Sequence, residues 1–491
     1  MTGALLQLVS TGNEDILLIG NPQVSYFKRV YLRYTNFAIE RRLEYNPNGQ
    51  ISYSDERELH FDIDTEYGDI LYYTSLHLTL PAIYSFKPST ASSTSDEIKY
   101  DFRWIDNIGS NIIKKAELII NDKLIESMDY NMIAISNKLK LTKKSEDNYN
   151  YMTGNIEEVY YHTVNNNNND NIPIIPTLDL RIPLPFFYNR DSALYLPMTL
   201  LRESKVKIKL TMRPLNELYT IGTPNGCYTE KTPHDDTVTP TNTIMYQYQS
   251  PVFTTVNINN FINSAADYLF IDSQLYNFII FLEAHERDRI TGQTSKQLIT
   301  IPKKIYFQSQ KLTSTLIIKN SDVVKEIFII PQRNDVYKTN QWTNYTIYDS
   351  ITYNKNLPLS LWEYRDVNTE NVTINKDNIG YFGTSNIIQS LTLELNGNEV
   401  NILSDSRYMN YGKNYETNIN ANLCYYNFAE EPLNYQPSGH LNLAKIDKFE
   451  FELGLKDSAT YDLSKEYTFD IYVYLTVYKV LTITKNRVHI I

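Results

Sequence analysis

"IKKAELIINDKLIESMDYNMI", residues 113–133, alternates apolar and polar side chains up to Asn121-Asp122 and resumes the alternation beyond it. Successive side chains of a strand point to opposite faces, and Asn and Asp tolerate the positive φ of a tight turn, so the stretch reads as a β-hairpin. "IQSLTLELNGNEVNILSDSRYM", residues 388–409, follows the same plan: an alternating strand, an Asn-centred turn, a second strand, then an aspartate and a tyrosine. Two versions of one hairpin far apart in a 491-residue chain predict a duplicated unit.

The flanking sequence extends the pattern. "ELHFDID" (58–64), "YYTSLHLTLP" (72–81) and "SKVKIKLTMRP" (204–214) have period two, and the last sets Val206, Ile208 and Leu210 against Lys205, Lys207 and Lys209. The lysine row reads as a solvated strand face. Strands resume with "LYNFIIFLEAH" (275–285), "STLIIKN" (314–320), "VVKEIFIIPQ" (323–332), "KFEFELGL" (448–455) and "TFDIYVYLTVYKVLTIT" (468–484). Helical periodicity is scarce. "SMDYNMIAISNKLK" (127–140) carries it best, with Met128, Met132, Ile135 and Leu139 spaced by four, three and four. Between the strand-rich halves lies "YTIGTPNGCYTEKTPHDDTVTPTNT" (219–243), a polar break that reads as loop or linker. Many strands with turn residues between them and few helices predict an all-β chain of sandwiches or jelly rolls. The expected division is an arm over 1–22 ending at Gly20-Asn21-Pro22, a first unit over 23–218, a linker over 219–255 and a second unit over 256–491. Residues 85–100, 140–175, 219–255 and 333–385 are the expected long loops.

Composition narrows the function. A net charge of −11 opposes a main role in holding nucleic acid, which needs a basic surface to neutralise phosphates. Cys227 and Cys424 are the only cysteines, too few for a disulfide scaffold or a Cys-rich zinc site. No apolar run reaches the length of a membrane span. The first fifteen residues carry Glu14 and Asp15 and lack a basic start, so no secretory signal is expected. Tyrosine is abundant, 41 of 491 residues, which suits half-buried pleated surfaces.

Catalytic patterns are missing from the sequence. The histidines at 60, 77, 162, 234, 285, 440 and 489 include no pair at metal-ligand spacing, and there is no GxSxG elbow or GxxxxGK[ST] loop. In "FLEAHERDR" (281–289), Glu283, His285 and Glu286 are candidates for acid/base work, but alternating charge at a strand end reads first as a solvated rim. Asn344 and Asn371 each begin an acceptor sequon in a polar stretch, in a chain whose Asn content also produces such triplets by chance. No catalytic, cofactor-binding or metal-binding residue is therefore assigned.

Several stretches, taken in order, resemble the major capsid proteins of nucleocytoplasmic large DNA viruses. They are "GALLQLVSTGNEDILLIGNPQVSYFKRVYLRYTNFAIE" (3–40), "WIDNIGSNIIKKAELIINDKLIE" (104–126), "IPLPFFYNRDSALYLPMTLLRESKVKIKLTMRPLNEL" (182–218), "FLEAHERDR" (281–289), "VKEIFIIPQ" (324–332) and "YYNFAEEPLNYQPSGHLNLAKID" (425–447). Leu441 and Leu443 depart from the Cys and Phe common there, and the region 219–255 is particular to this chain.

The resemblance implies two tandem antiparallel eight-stranded jelly rolls. It also implies a homotrimeric, pseudo-hexagonal capsomer tiling the icosahedral shell of a virion assembled in the host cytoplasm, with no enzymatic activity and no cofactor. The arm is then expected beneath the shell, near minor capsid and penton proteins and an internal membrane, with Lys28, Arg29 and Arg33 on the inner face. A minor capsid or penton-type protein is the alternative within the same class. A jelly-roll carbohydrate-binding protein or glycosidase is the alternative outside it.

Overall fold

The computed structural model describes residues 3–13, 15–29, 31–46, 51–52, 55–83, 101–139, 141–156, 175–223, 226–228, 268–269, 273–310, 313–338, 340–345, 387–403, 423–455 and 468–491. The chain separates into an arm, Met1–Phe37, and a body, Ala38–Ile491. The arm contains a helix at Gly3–Val9 and a single turn at Ile16–Ile19, and its Leu17 and Leu18 find no burial within it. Asn21 takes a positive φ of 50° at the expected Gly-Asn-Pro turn. Among the described residues the first regular strand starts at Phe37, well beyond residue 23, and residues 21–29 and 31–36 form neither helix nor strand.

The first half of the body contributes β1 (Phe37–Tyr45), β2 (Arg57–Ile63), β3 (Ile70–Leu80), β4 (Ile113–Ile120), β5 (Lys123–Asp129), β6 (Leu178–Pro183), β7 (Leu196–Pro197), β8 (Val206–Met212) and β9 (Ser273–Leu282). They form a five-stranded sheet ordered β1-β9-β3-β6, with β7 added to β3, and a four-stranded sheet ordered β2-β8-β4-β5. The second half contributes β10 (Ser295–Gln310), β11 (Thr313–Ile317), β12 (Val323–Arg333), β13 (Ile388–Leu395), β14 (Asn398–Leu403), β15 (Cys424–Asn427), β16 (Leu441–Asn442), β17 (Phe449–Leu455), β18 (Phe469–Thr484) and β19 (Arg487–Ile490). Its sheets run β10-β18-β12-β15, with β16 on β12 and β19 on β18, and β11-β17-β13-β14. Replacing each strand of the first half by its counterpart in the second reproduces both orders. The body is two jelly rolls of one topology.

The local causes are those of the sequence pattern. Val206, Ile208, Leu210 and Met212 of β8 are buried beside Leu59, Phe61 and Ile63 of β2, while Lys209 lies on the other face with its Nζ 2.7 Å from Glu58. Both hairpins turn on residues of positive φ: Asn121 and Asp122 at 49° and 62°, Asn396 and Gly397 at 51° and 77°. Two consecutive positive φ values match the twist of the flanking strands. In each roll the hairpin occupies the same end of the four-stranded sheet.

Four expectations shift. β9, counted by sequence with the second unit, belongs to the first roll: Leu275 pairs with Leu76, Asn277 with Thr74 and Phe278 with Tyr73. The first roll therefore closes at Leu282, and the helix Ala284–Thr291 leads on to β10. "FLEAHERDR" is thus the end of β9 followed by that helix, and its Arg287 Nε donates to the nearly buried carboxylate of Asp69 at 2.8 Å. The expected loop 140–175 contains a helix, Lys143–Met152, capped by the Thr142 side chain. The start of the expected linker is also structured: Tyr219–Thr223 and Gly226–Tyr228 join Asp101–Trp104 in a small antiparallel sheet.

Candidate functional site

In the long sheet of the second roll, β12 is buried on both faces over most of its length and β18 through its middle. Ile327, Ile329, Ile471, Val473 and Leu475 belong to that roll's own core. Phe328, Ile330, Tyr425, Tyr474, Leu481 and Ile483 instead join the hydrophobic cluster of the first roll, with Met132, Ile133, Phe186 and Phe187. Burial on both faces explains why β12 and β18 read as nearly continuous apolar runs. The first roll covers this sheet with the end of β5, the helix Tyr130–Lys138 that follows it, and the segment between β6 and β8.

Polar bonds cross this seam at fixed places. Glu126, near the end of β5, has a fully buried side chain that is ion-paired with Arg190 of the short helix Phe187–Arg190. The Phe187 amide donates to Glu126 Oε2 at 2.8 Å. Arg190 Nη1 donates across the seam to the Thr300 carbonyl at 2.6 Å and to its Oγ1 at 3.0 Å, and Nε donates to the Pro185 carbonyl at 2.9 Å. Burial pushes the Glu126 carboxyl above its usual range, and the Arg190 charge and the Phe187 amide pull against that.

Asp129 serves both rolls. Its Oδ1 accepts from the Met132 amide at 3.1 Å, capping the helix Tyr130–Lys138, while its Oδ2 takes Lys304 Nζ of β10 at 2.7 Å and the hydroxyl of Tyr474 of β18. Burial first, then the Asp129 charge, holds the Tyr474 hydroxyl well above its ordinary range, so it stays a donor. Further along, Tyr345 Oη donates to Asn131 Oδ1 at 2.7 Å, Gln332 Nε2 to the Trp342 carbonyl at 2.6 Å and Trp342 Nε1 to the Glu217 carbonyl at 3.0 Å. The Arg213 guanidinium lies 3.9 Å from the Trp342 ring centre and 4.6 Å from that of Tyr130. Beside the seam opens a cleft of about 310 Å³, lined among others by Tyr73, Leu139, Pro183, Phe328 and Leu433.

This arrangement locks two rolls in one orientation. Its charged groups are committed to structural bonds, and the chemistry it supports is rigid placement. Among the described residues, no group of three or more His, Cys, Asp and Glu side chains converges as a metal site.

The residues singled out by sequence are scattered. Lys28, Arg29 and Arg33 lie in the arm, in a stretch without helix or strand. Glu283, His285 and Glu286 sit at the start of the helix Ala284–Thr291, where Glu286 lies 3.7 Å from Arg289. Asn344 is half-buried, not fully exposed, and its Nδ2 donates to Gln341 Oε1 at 2.6 Å; Asn371 lies outside the described residues. Sequence reasoning passed over Glu126, Asp129, Arg190 and Lys304. One signal was present: Glu126 pairs in register with the core residue Leu118, an acid at an inward position.

Two rolls of identical strand order joined by a buried seam define a double jelly-roll protein. The family model for the major capsid protein N-terminus matches residues 25–272, and that for the large eukaryotic DNA virus major capsid protein matches residues 286–488. The chain belongs to this family of major capsid proteins.

It is 33% identical over 247 residues to the major capsid protein of Phaeocystis pouchetii virus, covering 47% of this chain and 45% of that protein. With the major capsid protein of Paramecium bursaria Chlorella virus 1 it shares 24% over 466 residues, covering 93% and 88%. The match spans about half the length or less of several curated relatives, 45%, 40% and 49% for three of them. Among solved structures, the VP54 protein of the Chlorella virus superposes with a TM-score of 0.65 at 18% identity, over 95% of this chain and 99% of that one. The Faustovirus major capsid protein gives 0.62 at 12% identity, over 96% and 94%. At these identities the superpositions establish the shared double jelly-roll fold.

Proposed function

We propose that this chain is the repeating tile of an icosahedral virus shell and works as a homotrimer. The observation that carries the reading is the doubled roll with its seam. Two rolls of one topology, fixed rigidly in one chain, give three chains six equivalent rolls and a pseudo-hexagonal outline that packs a surface. Closed cyclic symmetry is the common way for identical chains to assemble. The family to which the chain belongs supports this role.

On this reading the work is mechanical and the chain is not an enzyme. The trimer meets neighbouring trimers in the plane of the virion shell and penton proteins at its vertices, and the shell is assembled in the host cytoplasm. The arm, with Lys28, Arg29 and Arg33, faces inward toward minor capsid proteins and a membrane. Light scattering of the purified native protein tests the reading. The expected mass is three times the 57.3 kDa of one chain. A stable monomer would overturn it, and a pentamer would move the chain to the vertices.

A further inference from the structure

Asn340 follows β12 and is 1% exposed. Its Nδ2 donates to the carbonyl of Asn216 at 2.8 Å and to that of Tyr219 at 2.9 Å. Two acceptors on the amino group fix which way the amide lies, so Oδ1 points away from them. There Oδ1 is buried and has no hydrogen-bond partner among the described residues. A buried acceptor of that kind calls for a donor or a cation beside it.

Next to Asn340 lies a cavity of about 10 Å³, room for one occupant the size of a water, lined also by Asp106, Thr220 and Trp342. The backbone carbonyl of Asp106 accepts from Asn111 Nδ2 at 2.7 Å, but its carboxylate makes no hydrogen bond or ion pair among the described residues. The cations nearby are committed elsewhere. Arg213 pairs with Glu217 at 3.1 Å, and Lys138 Nζ donates to Asn107 Oδ1 at 3.4 Å. A water would satisfy Asn340 Oδ1 and leave the Asp106 charge unbalanced; a cation answers both oxygens.

We propose that this cavity is a calcium site, with the Asp106 carboxylate and Asn340 Oδ1 as protein ligands. The donors are oxygens, which select a hard cation. Calcium accepts mixed carboxylate and amide oxygens in irregular geometry, where magnesium demands a near-ideal octahedron. Asp106 is half-buried, so waters complete the shell from its open side. One carboxylate among neutral donors makes a weak site, with a dissociation constant of about 0.1–1 mM. The ion ties Asp106 of the first roll to Asn340 beyond β12 of the second, and so fastens the seam at the end marked by Trp342. It acts within each chain and holds or fails independently of the trimeric tile.

Terbium, which replaces calcium and emits when a neighbouring indole is excited, tests the site in the full-length chain. Terbium luminescence excited through tryptophan is expected to be displaced by calcium and not by equal magnesium. Asp106→Asn, which keeps the shape and removes the charge, is expected to weaken terbium binding at least tenfold, with the fold unchanged by circular dichroism. Asp106→Ser serves if the amide disturbs the turn. Calcium at ten times its dissociation constant is expected to raise the melting temperature of the wild type by about 1–3 °C over chelator, and not that of the variant. Equal terbium binding by wild type and variant assigns the ion to other surface acids and overturns the site. A wild type that melts alike in calcium and in chelator also overturns it, and leaves a water as the partner of Asn340 Oδ1.

Discussion

The two rolls share a strand order and differ in what lies against their long sheets. In the first, the outer row of β3 and β9 stays half-exposed at Tyr73, His77, Tyr276 and Phe278. In the second, β12 is buried along nearly its whole length, and Tyr474 of β18 is 1% exposed. Turns and period-two alternation set the topology of both. The neighbour sets whether the second face is apolar. One fold therefore reads as clean alternation in one half and as a continuous apolar run in the other.

The largest way to break this contrast is at the seam. Arg190→Ala leaves Glu126 buried without its cation and is expected to lower stability by about 3–5 kcal/mol at neutral pH, read by urea unfolding. Because burial already holds the Glu126 carboxyl above its usual 4.5, the variant's deficit should shrink as pH falls through that raised value toward 4.5, where the folded state takes up the proton first. A deficit that stays constant with pH would detach the loss from Glu126.

The hairpin turns offer a smaller test. Gly397 has a φ of 77° with nothing within 4 Å of an added Cβ, so Gly397→Ala should lower stability by about 1 kcal/mol through backbone strain alone. At the matching position of the first roll, Asp122 has a φ of 62°, and Asp122→Gly should raise stability by some tenths of a kcal/mol. Shifts of the same sign in denaturant midpoint would show that the turns are not equivalent.

The smallest effect concerns His77 of β3, whose counterpart strand, β12, contains no histidine. Burial, then the nearby Arg181 charge, pushes its imidazole down to about 4, with Asp179 opposing. Between 6.5 and 4 the unfolded chain binds the proton before the folded one, so stability should fall as pH falls through that window. His77→Gln should flatten that part of the profile; an unchanged slope would assign it to other groups.

Much of the fold was legible in the sequence because its causes are local. The alternation of β8, the hairpins at Asn121-Asp122 and Asn396-Gly397, and the helix begun by Asp129 all follow from neighbours a few residues apart. The placement of β9 was not legible. Its apolar pattern fixes a strand, but its partner Thr74 is 203 residues away from Asn277, and nothing local selects the first roll over the second. The site was less legible still. Glu126, Asp129, Arg190 and Lys304 matter through one another, and the sequence shows four ordinary charges until the rolls are brought together.

That distant strand has a consequence for how the protein is made. β9 sits between β1 and β3 in its sheet, so the first roll lacks an interior strand until residue 282 has left the ribosome. At the usual 5–20 residues per second, roughly 200 residues separating β3 from β9 amount to about 10–40 s of synthesis during which β1 and β3 present unpaired edges. Exposed edges of that kind invite wrong pairings. The first roll, although it emerges first, completes only shortly before the second begins, and a chaperone bound to the nascent chain would act chiefly on this interval.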